Sequence, residues 1–135
     1  MVAMTRDRHT GEASKRVQSE NLGRRAETLV TWYLRLKGYS ILARRFKCPV
    51  GEIDIIARQG GTLVFVEVKA RRIHSDALLS VTAKQSGRIV SAAKIWLAKE
   101  GSSMDSDCRF DIVTVSTYLM PRHFKNAFGD DTNLA

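Results

Sequence analysis

The sequence predicts a single α/β domain with the element order α-β-β-β-α-β, and three observations predict it. The chain has 135 residues, 44% of them hydrophobic and 27% charged, which suits one globular core. Two stretches, 19–37 and 81–99, repeat their apolar residues at helical spacing. Three short runs rich in β-branched residues lie between them, and a fourth follows at 109–115.

Residues 1–18 are polar, basic and aperiodic, and are expected to form a flexible N-terminal arm; 19–128 form the domain and 129–135 a loose C-terminal tail. In the first helix Leu22, Ala26, Leu29, Val30 and Tyr33 share one face, with Glu27 on its border, and Gly38 supplies the stop. A strand over 40–47 ends in the turn-prone Cys48-Pro49-Val50-Gly51. The stretch GEIDIIARQGGTLVFVEVKARR then reads as two strands joined at Gly60-Gly61, a pair able to take the positive φ of a tight hairpin. Residues 72–80 are expected to be a loop. The second helix turns Ile89, Ala92, Ala93, Trp96 and Leu97 inward despite Gly87, and Gly101 ends it. The strand RFDIVTV follows, and the chain is expected to run loose after Pro121.

Charge is unevenly placed. Of a net +8, residues 1–50 carry +7 (11 Lys/Arg against 4 Asp/Glu) and residues 51–135 carry +1 (11 against 10). That asymmetry suits a polyanionic partner, because each phosphate neutralised releases counterions, and suits equally a merely soluble basic surface. No run approaches the roughly 18 apolar residues of a membrane span. The first twenty residues have no apolar signal-peptide core, so a cytoplasmic protein without a membrane partner is expected. Cys48 and Cys108 lie far apart with no zinc spacing, and are expected to be free thiols. His74 and His123 are isolated, which argues against a metal role for either.

The hairpin carries the chemistry. With a two-residue loop at Gly60-Gly61, residues opposite one another have numbers summing to 121. Asp54 then faces Glu67, Glu52 faces Lys69 and Ile56 faces Phe65. Side chains alternate along a strand, so Ile53, Ile55, Ala57, Val64, Val66 and Val68 should form one wholly apolar face. The other face gathers Glu52, Asp54, Glu67 and Lys69. Opposed carboxylates about 5 Å apart at Cβ repel unless a cation lies between them. A divalent ion with oxygen ligands would be reached by both, and Lys69 beside them would contact a phosphate or orient water. A half-exposed hairpin with a cross-strand Glu52–Lys69 ion pair has the same sequence pattern. Against that plainer reading stand Ile56 and Phe65, which imply that the polar face is covered.

At these residues the chain resembles the PD-(D/E)XK nuclease superfamily, with Asp54 on one strand and Glu67-Val68-Lys69 as the E-x-K element on the next. In more detail it is similar to the YraN-like family of uncharacterised bacterial proteins, regarded as endonucleases akin to archaeal Holliday junction resolvases. GRRAETLVTWYLRLKGY, GEIDIIA, LVFVEVKARR and RFDIV carry the likeness across about residues 21–115. E-x-K alone is common; GEID, a short glycine spacer and VFVEVK in that order, behind a helix bearing Glu27, is far more specific. The resemblance implies a restriction endonuclease-like core, a mixed sheet of about four to five strands flanked by helices. It implies metal ligation by Asp54, Glu67 and Glu27 with Mg²⁺ or Mn²⁺ as cofactor, and a catalytic Lys69. It places Gln85 where some relatives carry a further site residue, although a helix-surface glutamine fits that position as well.

Arg71, Arg72, Lys84 and Arg88 flank the expected site and are candidates for holding phosphates, or ordinary solvated charges. Trp32 and Trp96 are expected to face the core or a partner. Asp111, in an apolar strand, has Arg109 and Lys69 as candidate partners. The expected function is a metal-dependent endonuclease on DNA, branched or structured DNA included, in repair or recombination, with a homodimer plausible by analogy. The alternatives are a non-catalytic nucleic-acid-binding module on the same fold, and a protein-interaction partner docked through its basic face.

Overall fold

The computed structural model describes residues 22–101, 107–117 and 119–129. The expected N-terminal arm and most of the expected C-terminal tail lie outside them.

A first helix, α1, covers 22–36 and is followed by three antiparallel strands, β1 (Ser40–Cys48), β2 (Gly51–Gln59) and β3 (Thr62–Ala70). Two helices, α2 (His74–Leu79) and α3 (Ala83–Lys99), carry the chain across to β4 (Cys108–Val115), which pairs parallel with β3. β5 (Pro121–Phe128) closes the sheet antiparallel to β4, giving one five-stranded mixed sheet in the order β1-β2-β3-β4-β5. The expected fold class is met, with two additions. The stretch 72–80 contains α2 instead of being a loop throughout. The segment after Pro121 is a strand instead of a loose tail. Among the described residues no helix is long and apolar enough to cross a membrane.

The β2–β3 register follows the expected arithmetic, from Gln59↔Thr62 through Ile56↔Phe65 to Ile55↔Val66. Gly60 takes φ +60° in the turn. Period-two alternation therefore builds two cores, one on each side of the sheet. On one side Ala26, Val30 and Leu34 of α1 cover Ile55, Ala57, Val64, Val66, Val113 and Val115. On the other Ile89, Ala92, Ala93 and Leu97 of α3 cover Ile56, Leu63, Phe65, Phe110, Ile112 and Phe128. Trp96 is half-buried, edge-on to Phe65, as expected of an inward residue. α3 starts in a capping arrangement, with Thr82 Oγ1 accepting from the Gln85 N–H.

Ile53 departs from the expected face: it packs with the α3-side cluster and not beside Ile55. The cause is a break in alternation one residue away. Register places Arg45 opposite Asp54, between the pairs Arg44↔Ile55 and Phe46↔Ile53. Arg45 has φ 54°, a left-handed conformation that costs a non-glycine residue about 1–3 kcal/mol. Both strands change face there, so Phe46 and Ile53 turn toward α3 together. The irregularity coincides with the aspartate singled out by the sequence.

Candidate functional site

The break at Asp54 opens the sheet into a cleft of about 710 Å³. Its floor is Asp54, Glu67 and Lys69; its walls are the β1–β2 turn (Lys47 to Glu52) and the first turns of α3 (Gln85, Arg88, Ile89). Gly51 explains how the walls meet: a Cβ there would lie 2.7 Å from the Arg88 carbonyl oxygen, so only glycine lets the turn approach the helix this closely.

Asp54 no longer belongs to a regular ladder. One carboxylate oxygen accepts the Val68 backbone N–H at 2.8 Å, replacing a strand partner and aiming the acid at Glu67. The two carboxyls face each other closely enough that each perturbs the other's protonation. Burial, then the Glu67 charge, pushes Asp54 up to about 8 from an ordinary 3.8. Burial raises Glu67 as well, although Lys69 opposes the rise. The two acids influence each other's titration, and proton affinity is raised at both.

Lys69 Nζ lies 3.2 Å from Glu67 Oε1, with both side chains largely buried. Gln85 sits beyond it. With its amide nitrogen donating to Ser80 O at 3.0 Å, its oxygen accepts from Lys69 Nζ at 3.2 Å. The reverse orientation offers only a 3.4 Å bond from the Thr82 N–H, so the first satisfies the group better. Gln85 thus holds the lysine at the cleft floor, instead of being a helix-surface glutamine.

The remaining expected residues divide. Arg88 lines the cleft, whereas Arg71, Arg72 and Lys84 do not; Arg71 folds back onto the Ala70 carbonyl. Glu52 is exposed at the rim, and Lys69 pairs with Glu67 in its place. Glu27 is buried, yet it does not line the cleft: Arg45 Nε donates to Glu27 Oε1 at 2.9 Å. Its charge still reaches Asp54 and adds to the upward shift there. Among the described residues no group of three His, Cys, Asp or Glu gathers in metal-binding geometry. Sequence reasoning missed Arg45 and Lys47, since neither a left-handed non-glycine residue nor a turn residue brought to the rim by folding leaves a local signal.

Asp111 pairs with Arg109 and not with Lys69. It is fully buried and accepts from Arg109 Nε and a terminal Arg109 nitrogen at 2.9 Å each. His123 Nε2 lies 2.6 Å away and the Asn126 N–H 2.9 Å. Lys37 Nζ lies 2.7 Å from His123 Nδ1; an ammonium can only donate, so Nε2 bears the proton given to Asp111. This network joins β5 to the sheet. Cys48 and Cys108 are free, as expected.

The oxygen donors fit a divalent ion. Mg²⁺ is commonly held by one or two carboxylates plus water and substrate phosphate, and Asp54 with Glu67 offers two carboxyls at an open cleft. The raised proton affinity of both acids marks a place that favours added positive charge.

Comparison with known proteins shows the family. Residues 26–115 match the model of the uncharacterised protein family UPF0102. A UPF0102 protein of Rhodopseudomonas palustris (strain BisA53) is 44% identical over 120 residues, 89% of this chain and 92% of the relative. One from Nitrobacter winogradskyi is 46% identical over 117 residues, 87% and 99% of the two chains. A third, from Bartonella bacilliformis, is 43% identical over 106 residues, 78% and 87%. The chain belongs to this uncharacterised family.

Proposed function

We propose that the protein is a divalent-metal-dependent endonuclease of PD-(D/E)XK type acting on DNA, branched or structured DNA included, in repair or recombination. One observation carries this reading: half-buried Asp54 and buried Glu67 stand together with Lys69 at the floor of an open cleft, and proton affinity is raised at both acids. Lys69 offsets part of the Glu67 charge, yet proton affinity stays raised at both acids, so the pair favours an added cation.

Asp54 and Glu67 would hold Mg²⁺ or Mn²⁺, which when bound supplies Lewis-acid polarisation of the phosphodiester. Lys69, fixed by Glu67 on one side and Gln85 on the other, presents its ammonium to the cleft. There it donates to an attacking water or a non-bridging phosphate oxygen, where negative charge develops. Lys47 and Arg88 on the walls hold flanking phosphates. Glu27 is a second-rank ligand in this reading, reached only if Arg45 releases it.

A second reading has one specific observation in its favour. Glu27 is engaged by Arg45, which leaves two acids where the resemblance implies three. On that reading the cleft grips nucleic acid without cutting it. The test is incubation with Mn²⁺ and labelled duplex, single-stranded, flap and four-way-junction DNAs, with Glu67→Ala and Lys69→Ala in parallel. Cleavage lost in both variants supports the enzyme. Cleavage surviving in both overturns this site. Tight, salt-sensitive binding without cleavage supports the binding module.

A further inference from the structure

α1 turns a second surface outward, remote from the acids. Arg25, Thr28, Trp32 and Arg35 recur at i, i+3, i+7 and i+10, a spacing that keeps them on one stripe of the helix. Trp32 is 58% exposed, and the Arg35 guanidinium lies 5.0 Å over its ring. The tryptophan lines a groove with Arg24, Arg25, Thr28, Leu29 and Leu119. An indole left this bare in water is a disfavoured use of apolar surface unless something covers it.

We propose that this groove is a second nucleic-acid contact, in which an unpaired base of the substrate stacks on Trp32 while Arg24, Arg25 and Arg35 hold its flanking phosphates. The inference rests on the reading of the protein as a nucleic-acid-binding one and identifies the part of the substrate this groove recognises: a single-stranded segment. Charge favours this occupant. From residue 22 to residue 48 the chain has seven Lys or Arg and a single acid, Glu27, which is buried against Arg45. A second copy docking isologously by this face would set arginines against their own images, which costs affinity. An aromatic platform flanked by cations is, by contrast, the arrangement that takes single strands irrespective of sequence.

Position favours it too. Side-chain contacts tie the groove wall to β1, the strand that runs beside Asp54. Arg45 stands opposite Asp54 and bonds Glu27, and the adjacent Arg44 reaches Thr28 Oγ1 at 3.4 Å, on the groove wall. Glu27 and Trp32 are five residues apart, about 7.5 Å along the helix axis.

The experiment measures equilibrium binding of fluorescein-labelled probes in EDTA, on the Glu67→Ala protein so that cleavage plays no part. The probes are a single-stranded oligothymidylate, a blunt duplex and the same duplex with a single-stranded flap. Trp32→Ala and Trp32→Phe are compared, with folding checked by circular dichroism. The expected result is a loss of about 5- to 150-fold for Trp32→Ala on the single strand and flap. Blunt duplex should bind as before, Trp32→Phe should restore most of the affinity, and Arg25→Ala should lower the salt slope by about one. Unchanged affinity for the single strand in Trp32→Ala overturns the proposal, as does an equal loss on blunt duplex. Conversion of a dimer to a monomer by Trp32→Ala, seen by light scattering, also overturns it and assigns the face to a second copy. The outcomes separate from those of the cleavage assay. Trp32-dependent binding without cleavage keeps this inference and removes the enzyme; cleavage without Trp32 dependence does the reverse.

Discussion

Asp54 and Asp111 lie two strands apart in the same sheet, and burial raises the proton affinity of both. They end at opposite extremes. Asp111 has no exposure at all, yet bonds from His123, Arg109 and the Asn126 N–H outweigh its burial and hold its carboxyl below the usual range. Asp54 receives one backbone N–H and faces another acid, and is pushed up to about 8. The difference is the supply of donors. Where a fold needs a buried carboxylate for its own integrity it surrounds the group with hydrogen bonds; at Asp54 the pairing is left unfinished and open to a cleft. Unfinished electrostatics, more than burial, marks the functional region.

Breaking the finished network should have the largest effect. Asp111→Ala leaves Arg109 without its buried partner and releases His123 and the Asn126 N–H. It should cost about 3–5 kcal/mol in urea denaturation. The same substitution logic at Asp54 should reverse the sign. Asp54→Asn keeps an acceptor for the Val68 N–H while removing the repulsion, and should stabilise the metal-free protein at pH 8. A gain of about 1 kcal/mol would appear as a rise in Tm of about 3–5 °C, with cleavage abolished.

The pH dependence sharpens the contrast. A raised folded pKa means that the folded state holds the proton more tightly. The Asp54 contribution is therefore fully present below 3.8 and lost as pH rises through about 8. Asp111 behaves oppositely, its contribution present above 3.8 and lost as pH falls through its depressed folded value. Metal-free protein should lose stability between about pH 4 and 8 in thermal melts, and Asp54→Asn should flatten that slope while Asp111 still governs the acid limb. A smaller effect is expected at the cleft wall. Gly51→Ala drives a methyl against the Arg88 carbonyl, and should cost about 1–3 kcal/mol by denaturation.

How much of this was legible in the sequence follows from the same contrast. The hairpin register was readable because a two-glycine turn and strict alternation leave one solution, and it put Asp54 and Glu67 on facing strands beside Lys69. The face of Ile53 was not readable, since it depends on Arg45 adopting a left-handed conformation that no local residue preference announces. β5 was not readable either. PRHFKNAF has little alternation, and Asn126 takes φ 52°; the segment becomes a strand because Asp111 bonds the Asn126 N–H and His123. Proline at its first position is tolerated because an edge strand needs no donor there. Glu27 was identified as a residue near the site, but its engagement by Arg45 is a long-range fact that spacing along α1 does not contain.

The most direct test of the unfinished pair is calorimetric titration of Mn²⁺ into the protein at pH 7 in two buffers of different ionisation enthalpy. The protein should bind Mn²⁺ with release of about one proton, the one the raised Asp54 holds, and both binding and release should vanish in Asp54→Asn and Glu67→Gln. Binding without proton release, or binding that survives both substitutions, would contradict the assignment of this pair as the metal site.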